Sequence, residues 1–232
     1  MAGPIVLCWP ADTPMTTDTA LLSLLRLVSP ALPVGGFAYS QGLEYAVDAG
    51  WVKSADQVRD WLAGVLVHGL GRLDVPLVLR LHEAVGDDEL FGHWNDVALA
   101  CRETRELRLE DQQMGRALWR LLGSMEEPLP AIATPSWPGA FALAARRWGV
   151  AAGACCQGYL WSWLENQLTV AAKTVPIGQT DCQRIAAALM PAILNAVETG
   201  SALGDGDIGG GLPGMAMASM LHETQYSRLF RS

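Results

Sequence analysis

Lysine is nearly absent from this 232-residue sequence: Lys53 and Lys173 are the only two lysines among 16 basic residues. The 24 acidic residues outnumber the basic ones, and the formal net charge is −8. A nucleic-acid-binding protein needs a basic face to neutralise phosphates. A peripheral membrane anchor of the electrostatic kind needs a polybasic segment. The charge balance therefore argues against both nucleic acid and membrane as partners.

Cysteine is also too sparse and too irregular for a disulfide framework. The five cysteines are an odd number without repeated spacing: Cys8, Cys101, Cys155, Cys156 and Cys182. Residues 1–17 contain no Lys or Arg, so the basic start of a secretory signal peptide is missing. We expect reduced thiols in a cytoplasmic protein.

Long apolar runs are missing, although half of the chain is hydrophobic and only 17% is charged. The central uncharged run, residues 148–164, is short for a bilayer crossing and is interrupted by glycine and polar residues. It predicts a buried helix. This apolar content excludes disorder of the chain as a whole. The chain is also rich in alanine and leucine, which favour helices over strands.

Proline, glycine and capping residues divide the chain into helices, with no alternating stretch that predicts a strand. Ser40 is the predicted N-cap of a short helix ending at Gly50, and Ser54 with Gln57 and Thr180 with Gln183 are predicted capping boxes. Residues 87–125 predict one long helix or two abutting helices. The expected fold is all-α: a flexible segment over 1–17, one helical-bundle domain over 18–203, and a glycine-rich hinge, short helix and partner-docking tail over 204–232.

Familiar catalytic and nucleotide-binding motifs are missing as well. No Walker A sequence occurs, and the one GxGxxG match, at residues 204–209, follows a helix and contains Asp205 and Asp207, which would repel a pyrophosphate. We interpret it as a linker. The adjacent Cys155 and Cys156 lie in an apolar run that is typical of buried thiols.

One cluster of acidic residues allows two interpretations. Glu103, Glu106 and Glu110 fall on one helical face beside Arg102 and Arg105, which is typical of a solvated, ion-paired surface. The alternative is a metal-dependent helical enzyme that uses this cluster.

Four blocks of sequence resemble the UreF family of urease accessory proteins. They are Ser29-Pro-Ala-Leu-Pro-Val-Gly-Gly-Phe-Ala-Tyr-Ser-Gln-Gly-Leu-Glu44, Glu103-Thr-Arg-Glu-Leu-Arg-Leu-Glu110 with Met114-Gly115, Lys173-Thr-Val-Pro-Ile-Gly-Gln-Thr-Asp181, and Tyr226-Ser-Arg-Leu-Phe-Arg-Ser232. The blocks occur in the family's order. The resemblance covers about residues 21–232.

The resemblance implies an all-α, dimeric, non-enzymatic chaperone that joins the accessory protein UreD (also called UreH) and the GTPase UreG. That assembly acts on apo-urease to insert nickel. The resemblance also implies that UreG binds the GTP, that the complex handles the nickel, and that this chain holds no stable cofactor.

The resemblance also assigns roles to individual residues. In the tail, Leu229 and Phe230 would anchor UreD/UreH by burial, and the arginines by pairing with carboxylates. His222 is a candidate nickel contact, although a lone histidine more often has a structural role. Lys173 would either position the loop that contains Tyr39 and Glu44 or gate nickel transfer, or it is simply a cation at the end of a helix. The full set of implied partner-binding residues is Tyr39, Ser40, Gln41, Glu44, Arg105, Glu106, Lys173, Gly178, Gln179, Tyr226, Arg228, Leu229, Phe230 and Arg231.

Overall fold

The computed structural model describes residues 18–232, which form ten α-helices and contain no β-strand within that range. The predicted all-α fold is confirmed. The predicted flexible segment over 1–17 lies outside the described residues. The helices are α1 Asp18–Leu27, α2 Leu43–Asp48, α3 Ala55–Gly64, α4 Asp74–Glu83, α5 Asp88–Ala100, α6 Arg105–Ser124, α7 Trp137–Arg147, α8 Ala152–Thr174, α9 Gln179–Ser201 and α10 Pro213–His222.

Helix α7 lies at the centre of the core. Every residue from 138 to 145 is buried, and the helix packs against α4 and α6. Helix α4 contributes Leu77 and Leu81, both fully buried, and α8 contributes Leu160. Burying one such leucine contributes about 1.5–3 kcal/mol. The central helices therefore form a frame on which the ends of α2, α6 and α10 are held.

Helix α8 confirms the buried helix that the central apolar run predicts. Cys155 and Cys156 lie inside it, fully buried, and burial raises the pKa of Cys156 to about 12. Among residues 18–232 no single helix has both the length and the apolar character of a membrane span. Two consecutive segments, Ala55–Leu70 and Asp74–Glu83, meet that test only when taken together, with a 45° bend between them.

Helices begin where the sequence predicts when the capping side chain and the N–H group that it accepts are only a few residues apart. Ser54 accepts the Gln57 N–H at 3.3 Å, as expected, and Gln57 Oε1 accepts the Lys53 N–H at 2.8 Å. The region 87–125 contains two abutting helices, and the Thr104 side chain caps the second.

Two predicted caps are wrong. The Gly178 N–H donates to Asp181 Oδ2 at 3.3 Å, so α9 begins at Gln179 with Gly178 as its N-cap, and Thr180 is already helical. Ser40 is not a cap either, because α2 begins at Leu43 after Gly42 and the Ser40 side chain turns to another part of the chain.

The glycine-rich segment 204–212 follows α9 and is attached to the rest of the domain. Arg80 Nε donates to Asp205 Oδ1 at 3.0 Å, and the Gly209 N–H donates to the Arg72 carbonyl at 3.1 Å. A Cβ at Gly210 would lie 2.8 Å from the His68 carbonyl oxygen, at the π-helical turn Val65–Leu70. These contacts fix the path into α10. The domain division at residue 204 stays a prediction.

Candidate functional site

Residues 223–232, here called the tail, run back from α10 along the segment that precedes α2. The Arg231 N–H donates to the Ala38 carbonyl at 2.7 Å. The Ser40 N–H donates to the Ser232 carbonyl at 2.6 Å, and the Ser40 hydroxyl donates to the same oxygen. The tail is therefore held by backbone as well as by side chains.

Glu44, on α2, is the main acceptor for the tail backbone. Its Oε1 accepts the Leu229 N–H at 2.6 Å and its Oε2 accepts the Phe230 N–H at 3.1 Å. The side chain is almost fully buried. An ionised acceptor strengthens both bonds, and the loss of either partner would leave buried polar groups unpaired.

His222, at the end of α10, lies between two carboxylates. Its Nε2 is 3.0 Å from Glu44 Oε2 and its Nδ1 is 2.8 Å from Glu106 Oε2, and the ring is fully buried. Arg228 Nη1 donates to Glu106 Oε1 at 2.8 Å. Because a carboxylate only accepts, both carboxylates can be satisfied at once when both ring nitrogens carry a proton. The cluster thus joins α2, α6, α10 and the tail.

Glu110, one helical turn after Glu106, forms a second attachment. Its Oε1 accepts the Gln41 side-chain amide at 2.7 Å and its Oε2 accepts the Ser232 hydroxyl at 3.0 Å. Burial raises the pKa of Glu110 to about 7, and the hydrogen bonds from Gln41 and Ser232 oppose that rise. Burial thus favours the protonated form of this carboxyl group.

Helix α8 supports the same site from the other side. Trp163 Nε1 donates to Gln41 Oε1 at 2.7 Å, and Asn166 Nδ2 donates to the Tyr39 carbonyl at 3.1 Å. Lys173 Nζ lies 5.4 Å from the ring centroid of Phe230, within the range of a cation–π contact. Lys173 thus contacts the tail.

Gly42 allows α2 to approach α10. Its φ is 83°, and a Cβ at this position would lie 2.8 Å from the Ser219 backbone nitrogen. Both the left-handed backbone and the close approach require glycine. The approach brings Glu44 within reach of His222.

The tail exposes some residues and buries others. Tyr226 is fully exposed and Leu229 is 73% exposed, whereas Phe230 is 6% exposed and belongs to the hydrophobic core. The implied anchoring by burial therefore fits Leu229, which is free to be covered. It does not fit Phe230, which is already buried within its own chain.

A groove with a volume of about 510 Å³ runs beside the tail. Arg105 and Leu109 of α6 line it, together with Arg228 and Arg231 of the tail and the buried Tyr39. Burial raises the pKa of Tyr39, as does the charge of Glu110. Its hydroxyl donates to Gln113 Oε1 at 2.5 Å. The groove gives the site an accessible, arginine-rich edge.

The acidic group of α6 does not form the solvated face that its spacing predicts. Glu103 precedes the helix and is exposed, whereas Glu106 and Glu110 bind the tail network. Within residues 18–232 no three or more His, Cys, Asp or Glu side chains are arranged to hold a metal ion. Both nitrogens of the candidate nickel ligand His222 bind carboxylates.

Gly178 makes its hydrogen bonds within the start of α9, where its N–H donates to Asp181 and its carbonyl accepts the N–H groups of Asp181 and Cys182. The other implied partner-binding residues except Gln179 meet at or beside the tail. Three of the four sequence blocks converge there, and the fourth reaches it through Lys173.

Sequence reasoning missed a second buried network next to this site. Arg102 Nη2 donates to Asp74 Oδ1 at 2.8 Å and its Nε donates to Asp111 Oδ2 at 2.6 Å. The Tyr159 hydroxyl donates to Asp74 at 2.9 Å. Burial works against the charge of Arg102, but the two carboxylates keep its pKa well above the ordinary value. The network borders a cavity of about 140 Å³.

A signal for the buried acids was present in the sequence. Glu110 and Asp111 share the helical stripe of Leu107, Met114 and Leu118, which are spaced at i, i+3, i+4, i+7 and i+11 and are all buried. Apolar neighbours on one stripe indicate burial for the acids between them.

Comparison with known proteins adds a family to this geometry. A sequence model described as UreF matches residues 52–190. A Chromohalobacter salexigens protein named urease accessory protein UreF is 52% identical over 218 residues, which are 92% of this chain and 95% of that protein. Proteins of the same name from Alkalilimnicola ehrlichii and Teredinibacter turnerae are 47% and 49% identical, covering 94% and 93% of this chain and the full length of each relative.

Proposed function

The chain belongs to the UreF family of urease accessory proteins, and on that basis we propose that it is a non-enzymatic scaffold in urease maturation. In this proposal it joins UreD/UreH to the GTPase UreG, and the assembly inserts nickel into apo-urease. GTP is bound by UreG and nickel is the cargo of the complex.

One observation carries the proposal: the blocks that resemble the family converge on a single site around the tail, although they are far apart in sequence. Glu44 and Leu229 are 185 residues apart, and Glu106 and Arg228 are 122 apart. In these networks the carboxylates of Glu44 and Glu106 bond to groups within the chain. They therefore serve to present a surface, which suits a scaffold better than a catalyst.

We assign the docking of UreD/UreH to the exposed part of this surface. Tyr226 and Leu229 supply exposed apolar area, and exposed aromatic and aliphatic side chains are the usual anchors of an interface. Arg228 and Arg231 supply cations at its edge. Ser40, Gln41, Glu44 and Glu106 act from beneath by holding the tail in place.

Two further parts of the proposal concern assembly. We propose that the chain works as a homodimer and that UreG approaches a surface of that dimer. Exposed apolar side chains on α1, Leu21, Leu22 and Leu25, are consistent with burial in a larger assembly.

The test is a pull-down of purified UreD/UreH with the full chain. Leu229→Ser should reduce capture at least ten-fold, because it removes the exposed aliphatic anchor of the tail. Leu90→Ser is the matched control, an exposed leucine on α5. Equal capture by the Leu229 variant and the wild type would refute the assignment of the tail surface.

A further inference from the structure

Helix α6 separates its charged residues by sign. Its three acidic residues, Glu106, Glu110 and Asp111, point toward the tail and the core. Its four arginines are all exposed, and we call them the basic stripe: Arg105, Arg108, Arg116 and Arg120. An acidic protein thus presents one helix face whose ionised groups are all cations.

The stripe is continuous along the helix. At about 100° per residue the four arginines fall within roughly 120° of the circumference, and at 1.5 Å per residue they span about 22 Å. The arc also contains Leu109, which is 41% exposed, and the half-buried Gln112 and Trp119. No acidic residue of α6 lies within this arc.

The arginines of the stripe lack ion-pair partners among residues 18–232. Arg116 Nη2 donates to the Thr134 hydroxyl at 3.4 Å, a long and neutral contact. Among the other exposed arginines, Arg59 pairs with Asp56 and Asp60 and Arg184 pairs with Asp181, whereas Arg146 and Arg147 have no ion pair among residues 18–232. The stripe is therefore available to carboxylates from outside the chain.

The helix also bears a cost for two of these arginines. Arg105 is the first residue of α6 and Arg108 follows at the end of the first turn, where the helix dipole is positive. Cations near a helix N-terminus are disfavoured by about 0.3–1 kcal/mol. Glu106 lies in the same turn, but its carboxylate bonds to His222 and Arg228 and pairs with neither arginine.

The stripe continues into the tail surface. Arg105 and Leu109 line the groove beside the tail together with Arg228 and Arg231. A protein that covers Leu229 therefore meets the start of the stripe within the same footprint.

We propose that the basic stripe binds a carboxylate-rich face of the protein that docks on the tail. The inference rests on the proposed function for the existence of that docking. Arginine pairs with carboxylates through two parallel hydrogen bonds, and four such positions along a helix select an acidic surface by charge. A protein fits better than nucleic acid, because the net charge of −8 opposes a polyanion and the stripe is only one helix wide.

The test measures the dissociation constant of the complex with purified UreD/UreH at 50 and 300 mM NaCl. The variant Arg108→Gln/Arg120→Gln removes two charges that do not line the groove beside the tail. The matched control is Arg146→Gln/Arg147→Gln, which removes two exposed charges at the end of α7. We expect the stripe variant to raise the dissociation constant at least ten-fold at 50 mM NaCl and about three-fold or less at 300 mM, because salt screens exposed charges. The control should match the wild type at both salt concentrations.

Each other outcome has a distinct meaning. If the wild type binds UreD/UreH and the stripe variant binds equally well, the stripe inference is wrong and the proposed function stands. If the wild type does not bind at all, the proposed docking fails first. A 20-base-pair DNA duplex provides the third arm: wild-type binding that the stripe variant loses would assign the stripe to nucleic acid and overturn the inference.

Discussion

Replacing Glu110 by Gln should stabilise the protein at pH 8 and have little effect at pH 4.5. The folded protein holds this carboxyl group with a pKa of about 7, against an ordinary value of 4.5. Between these values the folded state binds more protons than the unfolded state, so the contribution of Glu110 to stability falls as pH rises. Above about pH 7 the full penalty is present. A shift of this size corresponds to about 3 kcal/mol at 1.36 kcal/mol per pKa unit.

Glutamine removes the charge and can keep both contacts. Its carbonyl oxygen can accept the Gln41 amide and its NH₂ group can donate to the Ser232 hydroxyl, which now accepts. The difference in unfolding free energy between variant and wild type should therefore grow from near zero at pH 4.5 to about 2–3 kcal/mol in favour of the variant at pH 8.

The assay is urea unfolding followed by circular dichroism at several pH values and fixed ionic strength. Glu198→Gln, at an exposed position of α9, serves as the control for the loss of one negative charge. A difference that does not vary with pH would refute the reasoning, and so would a variant that is less stable than the wild type at pH 8. Equal slopes against urea are required for the comparison.

Two further predictions concern the attachment of the tail. Glu44→Ala leaves the Leu229 and Phe230 N–H groups and the Nε2 atom of His222 without an acceptor, so we expect a loss of about 3–5 kcal/mol and faster cleavage of the tail in limited proteolysis; cleavage at the wild-type rate would contradict the role of Glu44. Gly42→Ala should lower the free energy of thermal unfolding by well over 2 kcal/mol, because a Cβ clash adds to the strain of the positive φ. Gly35 has a similar φ but open space around it, so Gly35→Ala should cost only about 1 kcal/mol. Equal costs would show that the close approach of Gly42 to α10 is unimportant.

The sequence predicted the parts of this molecule that depend on near neighbours. The cap at Ser54 and the buried α8 need only residues within a few positions, and both are as expected. Ser40 has the side chain of a good cap, but its partner Ser232 is 192 residues away and no local pattern reveals it. Glu110 and Asp111 are a third case. Their apolar neighbours on the same helix face predict that they are buried, whereas their charges suggest that they are exposed.

The candidate site was accessible mainly through resemblance. Spacing alone predicted that Glu103, Glu106 and Glu110 form one group, but the fold gives each a different environment. Glu103 is exposed to solvent, and Glu106 bonds to His222 and Arg228. Glu110 bonds to Gln41 and Ser232. Convergence of residues from α2, α6, α10 and the tail depends on how the helices pack, which composition and periodicity do not determine.

The contacts of the tail also set an order of events during synthesis. Glu44 and Ser40 leave the ribosome some 180–190 residues before the tail groups that they bind. At about 5–20 residues per second this gap lasts on the order of ten seconds or more, during which α2 has no tail to hold. In the proposed function, docking on the tail surface therefore has to follow the synthesis and attachment of the tail.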